Sequence, residues 1–148
     1  MSERMRKMSK IAVVYWSATG NTEMMANAVI KGAEDKGAQT QLFKAADFNG
    51  NMVNDFDAIA FGCPAMGTDE LEENEFAPMF EGCKDKLWGK PIALFGSYGW
   101  SGGKWMEDWM NTCRGLSANL VHGGVICCGM PDTETVNECI DLGRMLSQ

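Results

Sequence analysis

The feature that most limits what this chain can become is a regular alternation of short apolar runs with amphipathic stretches of helical period. Residues 10–16 (KIAVVYW) read as a strand buried on both faces, because apolar side chains occupy odd and even positions alike. Residues 21–36 follow as a helix, with Met25, Val29 and Ala33 on one face and Gly37 just past its end. Strands are expected next at 39–44 and 57–63, and a helix at 72–83. A strand at 91–97 precedes a helix at 103–114 that sets Trp105 and Trp109 on one side. A strand at 120–128, bent at Gly123–Gly124, and a helix at 133–146 complete the pattern. Parallel strands need crossover connections, so this order implies an α/β fold: a doubly wound five-stranded parallel sheet, order 2-1-3-4-5, with helices on both faces. Ligands of such open sheets sit beyond the carboxyl ends of the strands where the strand order reverses. Here that point lies between strands 1 and 3, so function belongs in the loops after strands 1, 3 and 4.

A length of 148 residues suits one domain, assigned to residues 10–148, with residues 1–9 as an N-terminal extension expected to be flexible. No apolar stretch approaches the roughly 20 residues of a membrane span. The first residues, MSERMRKMSK, lack the apolar run of a secretory signal, so the cytoplasm is the expected location. Net charge is −7; residues 1–9 carry +2, so the remainder carries −9. That balance disfavours nucleic acid and anionic membranes and favours basic proteins as partners. The six cysteines (Cys63, Cys83, Cys113, Cys127, Cys128, Cys139) contain no Cys-x-x-Cys, and His122 is the only histidine, so no metal site is expected. They read as buried, reduced thiols, with adjacent Cys127 and Cys128 pointing to opposite faces of their strand.

The loop after strand 1 is Ser17-Ala18-Thr19-Gly20-Asn21-Thr22. Four of its six side chains are hydrogen-bonding, Gly20 allows a tight turn, and the following helix start offers free N–H groups to an anion. It contains no lysine or arginine, so a phosphate here is held by neutral donors. Walker A and G-x-G-x-x-G patterns are absent, which points to a monophosphate rather than a dinucleotide. After strand 3 comes Pro64-Ala65-Met66-Gly67-Thr68-Asp69-Glu70, with an apolar residue at the mouth and a glycine expected to open backbone conformations closed to other residues. After strand 4 comes Ser97-Tyr98-Gly99-Trp100-Ser101-Gly102-Gly103, two aromatics among three glycines. Glycines let backbone N–H groups approach a ligand, and aromatics offer flat faces. A phosphate nest and an aromatic platform at one sheet edge fit a flat, phosphate-bearing ring system, which describes FMN.

Residues 17–22 resemble the S/T-x-T-G-x-T phosphate loop of flavodoxins, and Ala65-Met66-Gly67 with Gly96-Ser97-Tyr98-Gly99-Trp100 resemble the two flavin loops of the short-chain clostridial type. The likeness runs in register from Lys10 to the end of the chain. It implies a flavodoxin-like fold and a low-potential one-electron carrier, not an enzyme, with no catalytic residues of its own. It implies phosphate contacts from Ser17, Ala18, Thr19, Gly20, Asn21 and Thr22. It implies an isoalloxazine between Met66 and Trp100 within a site that also takes in Ala65, Thr68, Ser97, Tyr98 and Gly99. Gly67 would supply the peptide that turns its carbonyl to flavin N5 on reduction, Asp69 would meet N3–H, and Ser101 and Gly103 would face the pyrimidine edge. Asp69 is one methylene shorter than the glutamate the family pattern carries there, and the residues before Lys10 match nothing in it. The phosphate, the apolar walls and the acids Asp69, Glu70, Glu72, Glu73 and Glu75 disfavour an anionic reduced flavin, making the last reduction step low in potential. The same acids complement a helix N-terminus. Partners are expected to be redox proteins with basic faces, met by a monomer. The alternative on the same fold is an FMN-dependent NAD(P)H:quinone reductase. A phosphoacceptor receiver domain is set aside, since Trp16-Ser17 and Cys63-Pro64 stand where it needs acids.

Overall fold

The computed structural model describes residues 8–67, 69–100 and 102–147; most of the expected extension, residues 1–7, lies outside them. Ser9 already joins the sheet edge, its carbonyl accepting from Gln39 N at 2.8 Å. Strand β1 (Lys10–Tyr15) is central, with β2 (Gln39–Lys44) on one side and β3 (Ala58–Gly62) on the other, all parallel. Beyond β3 lies β4 (Pro91–Tyr98), and on its far edge pair both β5 (Asn119–Leu120) and β6 (Val125–Cys128). The order is β2-β1-β3-β4-β5, with β6 continuing the fifth position, as the alternation implied.

The expected fifth strand is broken because its register slips. Leu120 opposes Ile92 and Val125 opposes Phe95, so residues 121–124 span a gap that β4 crosses with Ala93 and Leu94 alone. Gly124 packs against the Met106 side chain, which any larger residue there would have to displace. The bend falls at the glycine pair.

Alternate residues of each strand feed two cores. Ala12, Val14, Ile59, Phe61, Ile92 and Leu94 face helices α2 (Phe76–Cys83) and α3 (Lys104–Gly115). Ile11, Val13, Ala58, Ala60, Ala93 and Phe95 face α1 (Asn21–Asp35) and α4 (Thr133–Leu146). The alanines keep the second face shallow, and α1 meets α4 through glycines. A Cβ on Gly32 would lie 1.8 Å from Ile140 O, and one on Gly143 2.0 Å from Val29 O. The crossover from β2 to β3 is made by 3-10 turns at Ala45–Asp47 and Gly50–Asp55, a stretch with no periodic apolar pattern. They fold a phenylalanine cluster under the sheet, Phe43 meeting Phe48 and Phe56 edge-on at 5.1 and 5.7 Å.

Helix α2 begins at Phe76, not at residue 72 as expected. Glu72 is the reason. Its carboxylate accepts from the backbone N–H groups of Asn74, Glu75 and Phe76 at 2.8, 2.8 and 2.7 Å, which holds residues 73–75 in turns instead of helix. The thiols follow the expected pattern with one exception. Burial pushes Cys63, Cys113 and Cys139 up to about 12 and Cys83 and Cys127 up to about 11, so they stay protonated. Cys128, expected to be buried, is exposed on the opposite face from Cys127 and donates to Gly99 O at 3.1 Å.

Candidate functional site

The strand ladders run past the strands and anchor the three loops. Trp16 N donates to Gly62 O at 3.0 Å, Cys63 N to Phe95 O at 3.1 Å, Ala65 N to Ser97 O at 2.9 Å, and Gly129 N to Tyr98 O at 2.8 Å. The loops therefore leave a rigid edge side by side, and between them lies a cleft of about 220 Å³. Its walls include Ser17, Ala18, Thr19, Asn21 and Thr22 from the first loop, Ala65 and Met66 from the second, and Ser97, Tyr98 and Gly99 from the third. Ten of the anticipated residues thus meet in one place.

Within the first loop, Ser17 Oγ accepts from Gly20 N at 3.0 Å and Thr19 Oγ1 accepts from Asn21 N at 3.4 Å. Each hydroxyl keeps its hydrogen to donate elsewhere. Gly20 occupies the N-cap of α1 at φ 96°, a left-handed backbone that favours glycine, and makes no side-chain cap. The N-cap residue therefore caps none of the first-turn N–H groups, of which Asn21 N meets only the long contact to Thr19, and they carry the positive end of the helix dipole. Thr22 and Ser97 are buried, their hydroxyls 3.2 Å apart, tying the start of α1 to the end of β4. This donor set, with no cation in the loop, fits a phosphate monoester. Open space fits a ring: a Cβ on Gly99, on the cleft wall, would meet nothing within 4 Å.

Met66 and Asp69 close a turn, Met66 N donating to Glu70 O at 2.9 Å and Asp69 N to Met66 O at 2.7 Å. Among the described residues of that turn Asp69 is left-handed, at φ 59°, whereas Gly67, expected to use its backbone freedom, is not. Aspartate tolerates that backbone better than most side chains, which frees Gly67 from the role in this conformation. Asp69 does not line the cleft but the neighbouring groove between α2 and α3. Trp100 stands at the third loop with 82% of its surface exposed, and Gly103 caps α3 at φ 89°. Thr68 and Ser101, both anticipated at the site, lie outside the described residues.

Three wall residues escaped sequence reasoning: Trp16, Pro64 and Gly129. Trp16 ends the apolar run of β1 and reads as core, yet its indole separates the cleft from a polar cavity of about 370 Å³ and donates to Glu75 Oε1 at 3.0 Å. Gly129 follows β6, which also ends at the carboxyl edge of the sheet. Among the described residues no cluster suited to a metal ion occurs, and no helix is long and apolar enough to cross a membrane.

Comparison with known proteins places these loops in a wider set. The family model described as Flavodoxin matches residues 13–143. A flavodoxin of Clostridium beijerinckii is 40% identical over 135 residues, covering 91% of this chain and 97% of its own length. One of Megasphaera elsdenii is 41% identical over 134 residues, covering 90% and 96%. The solution structure of the two-electron reduced Megasphaera elsdenii flavodoxin superposes with a TM-score of 0.86, covering 93% of this chain and 98% of that one.

Proposed function

This chain belongs to the flavodoxin family, in its short-chain clostridial type, and is an FMN-binding electron carrier; from that premise we propose how its own residues hold the cofactor and meet partners. FMN, when bound, supplies the one-electron chemistry, and the chain supplies binding, orientation and exclusion of water. Ser17, Thr19, Asn21 and Thr22, with the N–H groups of residues 18–22, hold the phosphate. Because no lysine or arginine neutralises it there, the phosphate keeps its charge beside the ring. Met66 and Trp100 supply the two faces of the ring site, and Tyr98 and the backbone of residues 97–103 line its edge. Gly67 supplies the peptide of the second loop that turns toward the ring, Thr68 belongs to the same site, and Ser101 and Gly103 face the pyrimidine side. Asp69 belongs to this loop. The protein works as a monomer in the cytoplasm, catalyses no reaction of its own, and exchanges electrons with redox proteins whose docking faces are basic.

The observation that carries this reading is the cation-free, hydroxyl-rich loop wrapped on an uncapped helix start, opening into the same cleft as Met66 and Tyr98. Thr19→Ala or Asn21→Ala should weaken FMN binding by about 1–2 kcal/mol, the net loss of one neutral hydrogen bond with its unsatisfied partner. Riboflavin, which lacks the phosphate, should lose little. Equal losses for FMN and riboflavin in a calorimetric titration would remove the phosphate from this loop. Rapid bleaching of the bound flavin by NADPH alone would favour the quinone-reductase alternative.

A further inference from the structure

The groove beside the cleft holds two polar atoms that lack partners. Its volume, about 250 Å³, is close to that of the cleft, so its chemistry rather than its size distinguishes it. Trp109 lies on its wall only 3% exposed, clamped edge-on between Phe76 at 5.4 Å and Phe80 at 5.8 Å. Its Nε1–H is buried and finds no acceptor, whereas the other buried indole on that wall, Trp105, donates to Cys63 O at 3.1 Å. Asp69 lines the same groove, and its Oδ1 is buried without a donor. Leaving either group unpaired in a buried site is unfavourable.

The two atoms are complementary, one able only to donate and the other, as a carboxylate, only to accept. The other donors on the groove have partners of their own, although the Lys104 ammonium also feels the Asp69 charge. Lys104 reaches Asp108 at 2.8 Å, Lys84 reaches Glu81 at 2.9 Å, and the Thr112 hydroxyl donates to Asp108 O at 3.1 Å. The indole is fixed by its aromatic neighbours, while the carboxylate rides on a turn and swings by side-chain rotation. We propose that Trp109 is a positioning residue for the second flavin loop, its Nε1–H capturing the Asp69 carboxylate and tethering the Met66–Glu70 turn to α3. In that state the aspartate faces α3 rather than the ring. The consequence for electron transfer rests on the reading of the cleft as the FMN site, but the tether itself does not.

The tether is tested on the FMN-loaded protein with ¹⁵N-labelled tryptophan, the Trp109 indole signal being identified by its loss in Trp109→Phe. Asp69→Ala should shift that signal and accelerate exchange of its proton by about tenfold, what one net hydrogen bond is worth. Asp69→Asn, which keeps a carbonyl acceptor, should restore slow exchange. Trp109→Phe should also change the first reduction potential in the native background and leave it unchanged beside Asp69→Ala. An indole signal indifferent to Asp69→Ala, or equal potential shifts in both backgrounds, would overturn the proposal. A protein that takes up no FMN would instead sink the reading of the cleft, and the indole signals alone would still decide the tether.

Discussion

One carboxylate, that of Glu72, serves three backbone N–H groups while only 3% exposed. Burial raises its pKa, but the three donors from Phe76, Glu75 and Asn74 together outweigh that and hold it below the ordinary glutamate value. The sign of the pH dependence follows. A depressed native pKa gives stability that is fully present above the unfolded value of about 4.3 and is lost as pH falls through the native value. Glu72→Gln should therefore cost about 1–3 kcal/mol at neutral pH in denaturant unfolding, and the gap to the native protein should shrink in acid. A gap constant with pH would mean that the charge is not what caps these turns. Trp100 poses the opposite case, a large aromatic left almost fully exposed beside the cleft. Covering such a ring with a flat ligand is worth about 1–3 kcal/mol, so Trp100→Ala should weaken FMN by that amount and brighten its quenched fluorescence. Bright emission from the unmutated protein would show that the indole does not touch the ring.

Helices α1 and α4 pack at backbone distance, and that approach is written in glycines rather than in large apolar residues. Gly143→Ala would force a methyl against Val29 O at 2.0 Å and Ala33 N at 2.8 Å, neither of which yields by side-chain rotation. It should destabilise the fold by about 1–3 kcal/mol despite the helix propensity gained. Gly82→Ala in α2, where a Cβ meets nothing within 4 Å, should be neutral or stabilise by up to about 1 kcal/mol. Unfolding of both at one saturating FMN concentration checks the contrast, since ligand binding itself shifts stability. Comparable effects would show that the helices adjust. The elements were legible where periodicity was strong: β1, β3 and β4 are buried on both faces, and their continuous apolar runs said so. The 3-10 crossover at residues 45–55 was not legible, because turns of three residues leave no stripe. The start of α2 was misplaced because a capping glutamate and a helix-favouring glutamate look alike in sequence; only the side-chain bonds of Glu72 separate them. Of the cleft, the hydroxyl loop was readable from composition, whereas Trp16 passed for core and the turning of Asp69 toward α3 depends on a backbone angle that no spacing encodes.

At the scale of the whole molecule, the net charge of −7 matters by where it lies. The anticipated acid cluster at residues 69–75 is not one surface feature. Glu72 is buried as a cap and Glu75 accepts from Trp16; Asp69 and Glu70 line the groove, and Glu70 and Glu73 are exposed carboxylates in and just after the second loop. Steering by such charges raises association rates by roughly 10–10³ at low salt, and it fades as the Debye length falls from about 10 Å at 0.1 M to about 3 Å at 1 M. A carrier gains from this form of attraction, because fast arrival need not bring slow departure. The competing account is that acidity only keeps the fold soluble, in which case position is irrelevant. Two charge-matched pairs of substitutions separate them. Glu70→Gln with Glu73→Gln removes charge beside the second loop. Asp55→Asn with Asp85→Asn removes the same amount from segments that lead into β3 and β4, at the opposite end of the sheet. Electron transfer from a reductase with a basic docking face is then followed against ionic strength. Steering requires the first pair to slow transfer at low salt and flatten its salt dependence, with FMN affinity unchanged, while the second pair does neither. Equal effects from both pairs would reduce the second-loop carboxylates to a share of the net charge.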